Sequence, residues 1–170
     1  MKVKEKTIKI MTSMEVKKAL GEIKDWKIIA DFAVGGLEWI GFSHKKPELL
    51  FIISSQKNTV MNCKTGRIIE CDLEYDEEEM IAYTDQVEDE AIPLAGQYGG
   101  KLKIKTNQGE QIKIEKTNTK NVFRLTFLTK NNEKIKIFEN YGLYTYGFSN
   151  DDNYFVISSD SGITVMKRNS

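Results

Sequence analysis

The sequence predicts a mainly-β fold built of antiparallel meanders, and three observations carry that expectation. The first is a near-repeat. Gly41-Phe42-Ser43 leads to Leu50-Phe51-Ile52-Ile53-Ser54-Ser55 and Thr59-Val60-Met61. Gly147-Phe148-Ser149 leads to Tyr154-Phe155-Val156-Ile157-Ser158-Ser159 and Thr164-Val165-Met166. A shared order of strand, polar turn, apolar strand, turn and β-branched strand is a fold-level signal. The second is two-residue alternation, in which Leu102, Ile104, Ile112 and Ile114 face one way while Lys101, Lys103, Lys105 and Lys113 face the other. The third is the regular punctuation of short apolar runs by turn residues, with helical spacing in only two places.

At 170 residues the chain fits a single β-rich domain spanning 1–170, long enough to enclose a core. Residues 2–10 read as a short edge strand, since Ile8 and Ile10 alternate with Lys9. An N-terminal helix follows over 12–24: Thr12-Ser13-Met14-Glu15 offers a capping box, and Val16, Ala19, Leu20 and Ile23 recur at helical spacing. Strands are then expected over 26–33, 37–43, 49–55, 58–63 and 67–74, with Gly35-Gly36 and Thr65-Gly66 as turns. Leu49 to Ile53 is continuously apolar, as befits a central strand buried on both faces.

The next segment, 70–100, reads as an acidic helix and loop insertion. Asp76-Glu77-Glu78-Glu79 places carboxylates where a first helical turn favours them, and Met80, Tyr83, Thr84 and Val87 continue at i, i+3, i+4 and i+7. That spacing predicts a helix over 76–87, followed by a loop through Pro93 and Gly99-Gly100. Two hairpins come next, one turning at Asn107-Gln108-Gly109, the other pairing Phe123, Leu125 and Phe127 with Ile135 and Ile137. Strands at 143–149, 154–159 and 163–168 complete the second copy of the repeat.

The stretch Tyr146-Gly147-Phe148-Ser149-Asn150-Asp151-Asp152-Asn153-Tyr154-Phe155-Val156-Ile157-Ser158-Ser159, continuing through Ser161-Gly162-Ile163-Thr164-Val165, resembles the inner part of a β-propeller blade. The first copy resembles it too, with a longer turn at His44 to Glu48. No Trp-Asp dipeptide closes a blade, no Gly-His opens one, and 74–140 lacks the pattern. The resemblance therefore implies propeller-like or sandwich-like meanders with one or two short helices, rather than a full propeller. Ile92-Pro93-Leu94-Ala95-Gly96 with Tyr98-Gly99-Gly100 also resembles small bacterial proteins of this plan.

Little in the sequence points to catalysis. His44, the only histidine, sits in a polar turn, which excludes histidine metal clusters and most acid–base pairs. No nucleophile elbow, Walker A or dinucleotide fingerprint is present. No cofactor and no metal are expected. Cys63 and Cys71 are the only cysteines. If their hairpin turns at Thr65-Gly66, residue 63 faces 68 and residue 71 faces 60, so the thiols lie on opposite faces. A three-residue loop puts them on one face but several pairs apart. Neither register allows a disulfide, and with no export signal and no membrane-spanning apolar run the expected location is the cytoplasm.

Charge is where function is expected. Ile68 to Gly100 holds eleven acidic residues and no Lys or Arg, so it stands at −11 while the rest of this zero-net-charge chain stands at +11. The expected function is a non-catalytic protein-binding domain, its size and charge fitting a bacterial immunity or accessory protein, that meets the basic surface of another protein. The contact residues expected are Tyr75, Asp76, Glu77, Glu78, Glu79, Tyr83, Glu88, Asp89 and Glu90, the tyrosines serving as anchors. Two alternatives stand beside it. One is a nucleic-acid-binding module on the lysine-rich hairpin 101–116, disfavoured because only Phe138 lies in phase with Lys134 and Lys136 for base stacking. The other is a carboxylate-based enzyme using the acidic segment. The acidic segment also has an internal outlet, since it can lie against the lysine face of its own sheet. Nothing in the sequence sets an oligomeric state.

Overall fold

The computed structural model describes residues 10–170, so the strand expected over 2–10 falls outside the described residues apart from Ile10. Among the described residues the chain forms one helix and fifteen strands in four antiparallel sheets. The mainly-β, meandering architecture is the one the sequence predicts.

The repeat governs the two inner sheets. In the first copy β2 (Leu37–Phe42), β3 (Leu49–Ser54), β4 (Asn58–Asn62) and β5 (Arg67–Glu70) pair in sequence order, and a short strand, β9 (Ala95–Gly96), lies against β2. In the second copy β13 (Leu143–Phe148), β14 (Tyr154–Ser159) and β15 (Gly162–Arg168) pair the same way, and the fourth strand is β1 (Trp26–Phe32) from the other end of the chain. The outer strands of the repeat match, but the middle strand is displaced by one residue from the sequence match. Phe42 faces Leu50 while Phe148 faces Phe155, and Val60 faces Phe51 while Val165 faces Val156, so Phe155 stands where Leu50 does and not where Phe51 does. Even the turn is shared, for the Ser43 N–H donates to the Leu49 carbonyl and the Ser149 N–H to the Tyr154 carbonyl.

Each repeated glycine marks a place where another segment crosses the sheet. A Cβ on Gly41 would stand 2.4 Å from the Pro93 carbonyl oxygen, and one on Gly147 would stand 2.4 Å from the Leu102 Cβ. Only a residue without a side chain permits that approach.

The sheets stack in a row. A first sheet, β10 (Gln111–Lys116), β11 (Phe123–Leu128) and β12 (Lys134–Asn140), packs on the β13–β15 sheet around Trp26, Phe127, Phe148 and Phe155. The β13–β15 sheet packs on the β2–β5 sheet through Val156, Val165, Leu50 and Ile52. The far side of β3, with Phe51 and Ile53, packs on the last sheet: β6 (Leu73–Asp76), β7 (Ile81–Thr84) and β8 (Val87–Pro93). This explains the unbroken apolar run in β3. Leu50 and Ile52 serve one core while Phe51 and Ile53 serve the next, and each such burial stabilises by about 1.5–3 kcal/mol. No core cluster of described residues joins the first sheet to the last.

The helix α1 (Ser13–Gly21) closes the side of the first core, packing between β1 and β12, the edge strands of the two sheets that enclose it. Its capping box forms as read, the Glu15 N–H donating to the Thr12 hydroxyl at 3.2 Å while the Glu15 carboxylate accepts from the Thr12 N–H. It stops short of residue 24, ending at Gly21 where the Glu22 and Ile23 N–H groups tighten onto the Ala19 and Leu20 carbonyls, and Asp25 then turns the chain into β1 with a left-handed φ of 73°.

Several expectations need correction. There is no second helix at 76–87. Asp76 instead accepts the N–H groups of Glu78 and Glu79 on one side-chain oxygen, closing a turn, and Met80 follows with a φ of 52°. The apparent helical spacing is a coincidence of two strands, in which Ala82 points inward and Tyr83 outward. The strand expected over 67–74 is two strands in different sheets, parted at Cys71 and Asp72. The hairpin at Cys63 pairs Asn62 with Arg67, a wider loop than either register considered. Cys63 closes the core between the repeats, while Cys71 packs against the core of the last sheet. Finally, residues 101–105 form isolated bridges, Lys103 to Phe148 and Lys105 to Gln111, instead of a regular strand. Ile104 and Ile114 are left exposed.

Candidate functional site

The acidic segment folds as the end sheet, β6–β8. Its apolar residues alternate inward: Leu73, Ala82, Val87 and Ile92 pack on Trp39 and Phe51. Its carboxylates are left to solvent. Glu77, Glu78 and Glu79 occupy the exposed tip that the Asp76 carboxylate closes. Glu88 and Asp89 sit on a bulge of β8, Asp89 with a φ of 57°. Lys45 reaches the bulge by donating to the two carbonyls at 3.1 and 3.0 Å, not to the carboxylates.

Two of the expected contact residues have other surroundings. Glu90 is half-buried, and it accepts the Ser43 hydroxyl at 2.6 Å and the main-chain N–H of His44, stapling the β8 bulge to the turn after β2. In the second repeat Asp151 does the same for Ser149 at 2.7 Å. Tyr75 and Tyr83 lie on opposite faces of the sheet, for Tyr83 pairs with Glu74 and Tyr75 with Ala82. Tyr83 stands out at 51% exposure. Tyr75 sits at the inner rim, where burial first, then Glu38 and Glu77, push its hydroxyl pKa up.

A broad groove of about 740 Å³ lies at the seam where β5 ends and β6 begins. Glu70, Asp72, Glu74 and Asp85 line it, above Cys71 and Leu73, with Tyr83 as a wall. Lys57 is the one cation there, 4.0 Å from Glu70, and both side chains are well exposed. An exposed pair at that separation neutralises little. Sequence reasoning placed these residues in the acidic segment but did not single them out. The signal was there, since 70, 72 and 74 repeat by twos.

The groove's chemistry is attraction of cations. Among the described residues no three His, Cys, Asp or Glu side chains converge as metal ligands. Burial pushes the Cys71 thiol up to about 11, with Asp72 and Asp85 adding to the shift, so it is no nucleophile near neutrality.

The lysines of 101–116 do not share one face: Lys101 and Lys103 line a small cavity with Phe42, Pro93 and Phe148 where the inner sheets meet, while Lys113 and Lys116 lie on β10 of the first sheet. Lys103 is held 2.6 Å from the Asp152 carboxylate, and Arg124 and Lys136 converge on Glu139. Among the described residues no ion pair joins the carboxylates of 68–100 to the lysines of 101–116. No helix among the described residues is long and apolar enough to cross a membrane. Comparisons with protein-family models, curated proteins and solved structures found no match.

Proposed function

We propose that the chain is a non-catalytic protein-binding domain that presents its acidic end sheet to a basic partner, in a bacterial immunity or accessory role. One observation carries the reading. Eleven carboxylates lie between Ile68 and Gly100, and the one ion pair they make with a described lysine or arginine is the loose Lys57–Glu70 contact. Lys45 and Lys46 reach the same sheet but bond its main-chain carbonyls, so the carboxylates outnumber the nearby cations. Such an excess raises the association rate of a basic partner and disfavours acidic ones. The tip Glu77–Glu79, the bulge Glu88–Asp89 and the groove at Tyr83 are the parts of that surface a partner meets. Two free cysteines agree with a cytoplasmic location. In this reading the blade-like repeats are scaffold.

The experiment is charge reversal. E77K, E78K and E79K together weaken partner capture and leave the thermal transition in place. Unchanged capture contradicts the reading. A nucleic-acid role for 101–116 is the lesser reading because Lys103 is already engaged by Asp152. It requires a gel shift with a steep salt dependence that Lys101→Ala and Lys105→Ala abolish. A carboxylate-based enzyme would draw on the same groove, but Glu70, Asp72, Glu74 and Asp85 are all exposed.

A further inference from the structure

We propose that β5 is a docking edge, to which an extended basic segment of a partner protein adds as a further strand, its cations lying in the carboxylate groove. This rests on the reading of the acidic end as a partner surface and names what that surface takes.

Among the described residues β5 is the outer strand of its sheet. The Cys71 N–H donates to the Asn58 carbonyl at 3.1 Å, in the register that pairs Val60 with Ile69. Main-chain direction alternates along an antiparallel strand. Ile69 therefore turns its N–H and C=O toward β4, while Ile68 and Glu70 turn theirs outward. All four residues of β5 are exposed. A cavity of about 340 Å³ beside Val60 and Ile69 flanks one face, and one of about 350 Å³ beside Ile52 and Ile68 flanks the other. The alternate side chains of an added strand thus meet a recess on either face, part apolar around Ile69 or Ile68 and bordered by one cation, Arg67 on the first face and Lys57 on the second. Apolar side chains therefore suit both recesses, and main-chain bonds supply the affinity.

Charge selects the occupant. Natural edges are commonly guarded by lysine or proline, which repel further pairing. β5 has neither, and only Arg67 at its start carries positive charge. At its other end Glu70 leads into Asp72, Glu74 and Asp85 across the groove. An incoming strand with apolar residues over Ile68 and Ile69 and Lys or Arg beyond them matches both features. A second copy of this chain would bring like-charged grooves together.

The probe is a short synthetic peptide of alternating Val and Lys, blocked at both termini and titrated onto the full chain at low ionic strength. Main-chain amides are followed by NMR. In the free chain the Ile68 and Glu70 amides exchange fast and the Ile69 amide slowly; on binding, Ile68 and Glu70 become protected. Ile68→Pro removes an outward N–H and leaves the β4 ladder whole. It lowers affinity at least about tenfold, while Ile68→Val stays within about twofold. Should Ile68→Pro fail to fold, the amide pattern of the unmodified chain decides. Absence of binding, unmoved outward amides in the bound state, or equal affinity for Ile68→Pro overturns the proposal. If the peptide then still depends on Glu70, Asp72 and Glu74, tested as charge reversals, the acidic-surface reading stands without strand addition. Binding indifferent to those reversals overturns both.

Discussion

Glu110 and Arg168, 58 residues apart in sequence, meet at 2.6 Å in a nearly closed site and tie the end of the chain to the loop before β10. The other Glu110 oxygen accepts the Trp26 indole N–H at 2.6 Å, and the Arg168 guanidinium lies 4.5 Å over the Trp26 ring. Thr106 adds its hydroxyl to the same carboxylate at 3.0 Å. One anion therefore joins β1, β15 and the 101–110 segment. Removing one partner strands a buried charge, so Arg168→Ala should cost about 3–5 kcal/mol in chemical denaturation. A loss below about 1 kcal/mol would show the pair to be incidental.

Gly147→Ala tests the crossing at the second repeat. A methyl group there meets Leu102 and the Lys103 carbonyl oxygen, with which the Phe148 N–H makes a 2.7 Å bond. The expected loss is about 1–3 kcal/mol or more, with a similar loss for Gly41→Ala against Pro93. Equal melting temperatures for variant and parent would contradict the crossing.

Acid should unpick the β11–β12 face. The Arg124 side-chain hydrogen bond, with Lys136 adding to it, holds the Glu139 carboxyl below its ordinary value of 4.5. A lowered folded-state value stabilises the fold above the ordinary value, and that contribution disappears as pH falls through the lowered one. Stability measured between neutrality and pH 3 should therefore fall less steeply in Arg124→Ala than in the parent. Identical slopes would contradict the pairing.

The Cys63 thiol should be silent in the native state. Burial foremost, then Glu48 and Asp151, push it from 9.0 to about 12. A raised value stabilises the fold below the ordinary one, and the contribution is lost as pH rises through about 12. A thiol reagent at neutral pH should label Cys63 only on unfolding, while half-buried Cys71 reacts slowly in the native state. Fast native labelling of both would contradict the packing.

The parts of the fold legible in sequence were those written in local pattern. Leu49–Ile53 announced a strand buried on two faces, the repeat announced two meanders of the same strand order although its middle strands pair one residue out of step, and Thr12 with Glu15 announced a helix start. Misreading began where two periods overlapped. Met80, Tyr83, Thr84 and Val87 satisfy helical spacing, yet the Asp76 turn and the left-handed Met80 decide for strands. Long-range partnerships left no local trace: Glu110 with Arg168, Lys103 with Asp152, and Ser43 with Glu90, which ties up a residue expected to face a partner. The separation of the two tyrosines likewise follows from a pairing register that no single strand encodes.

Capture from a lysate of the source organism, compared across three forms of the full chain, tests the central claim most directly. The forms are the parent, the triple reversal E77K/E78K/E79K, and a control in which Lys101 and Lys105 are changed to alanine. All three should share one thermal transition. The account predicts that the parent and the control retain the same basic partner and that the triple reversal loses it, with the difference fading as salt rises. Equal capture by the triple reversal, or loss confined to the lysine control, would contradict it.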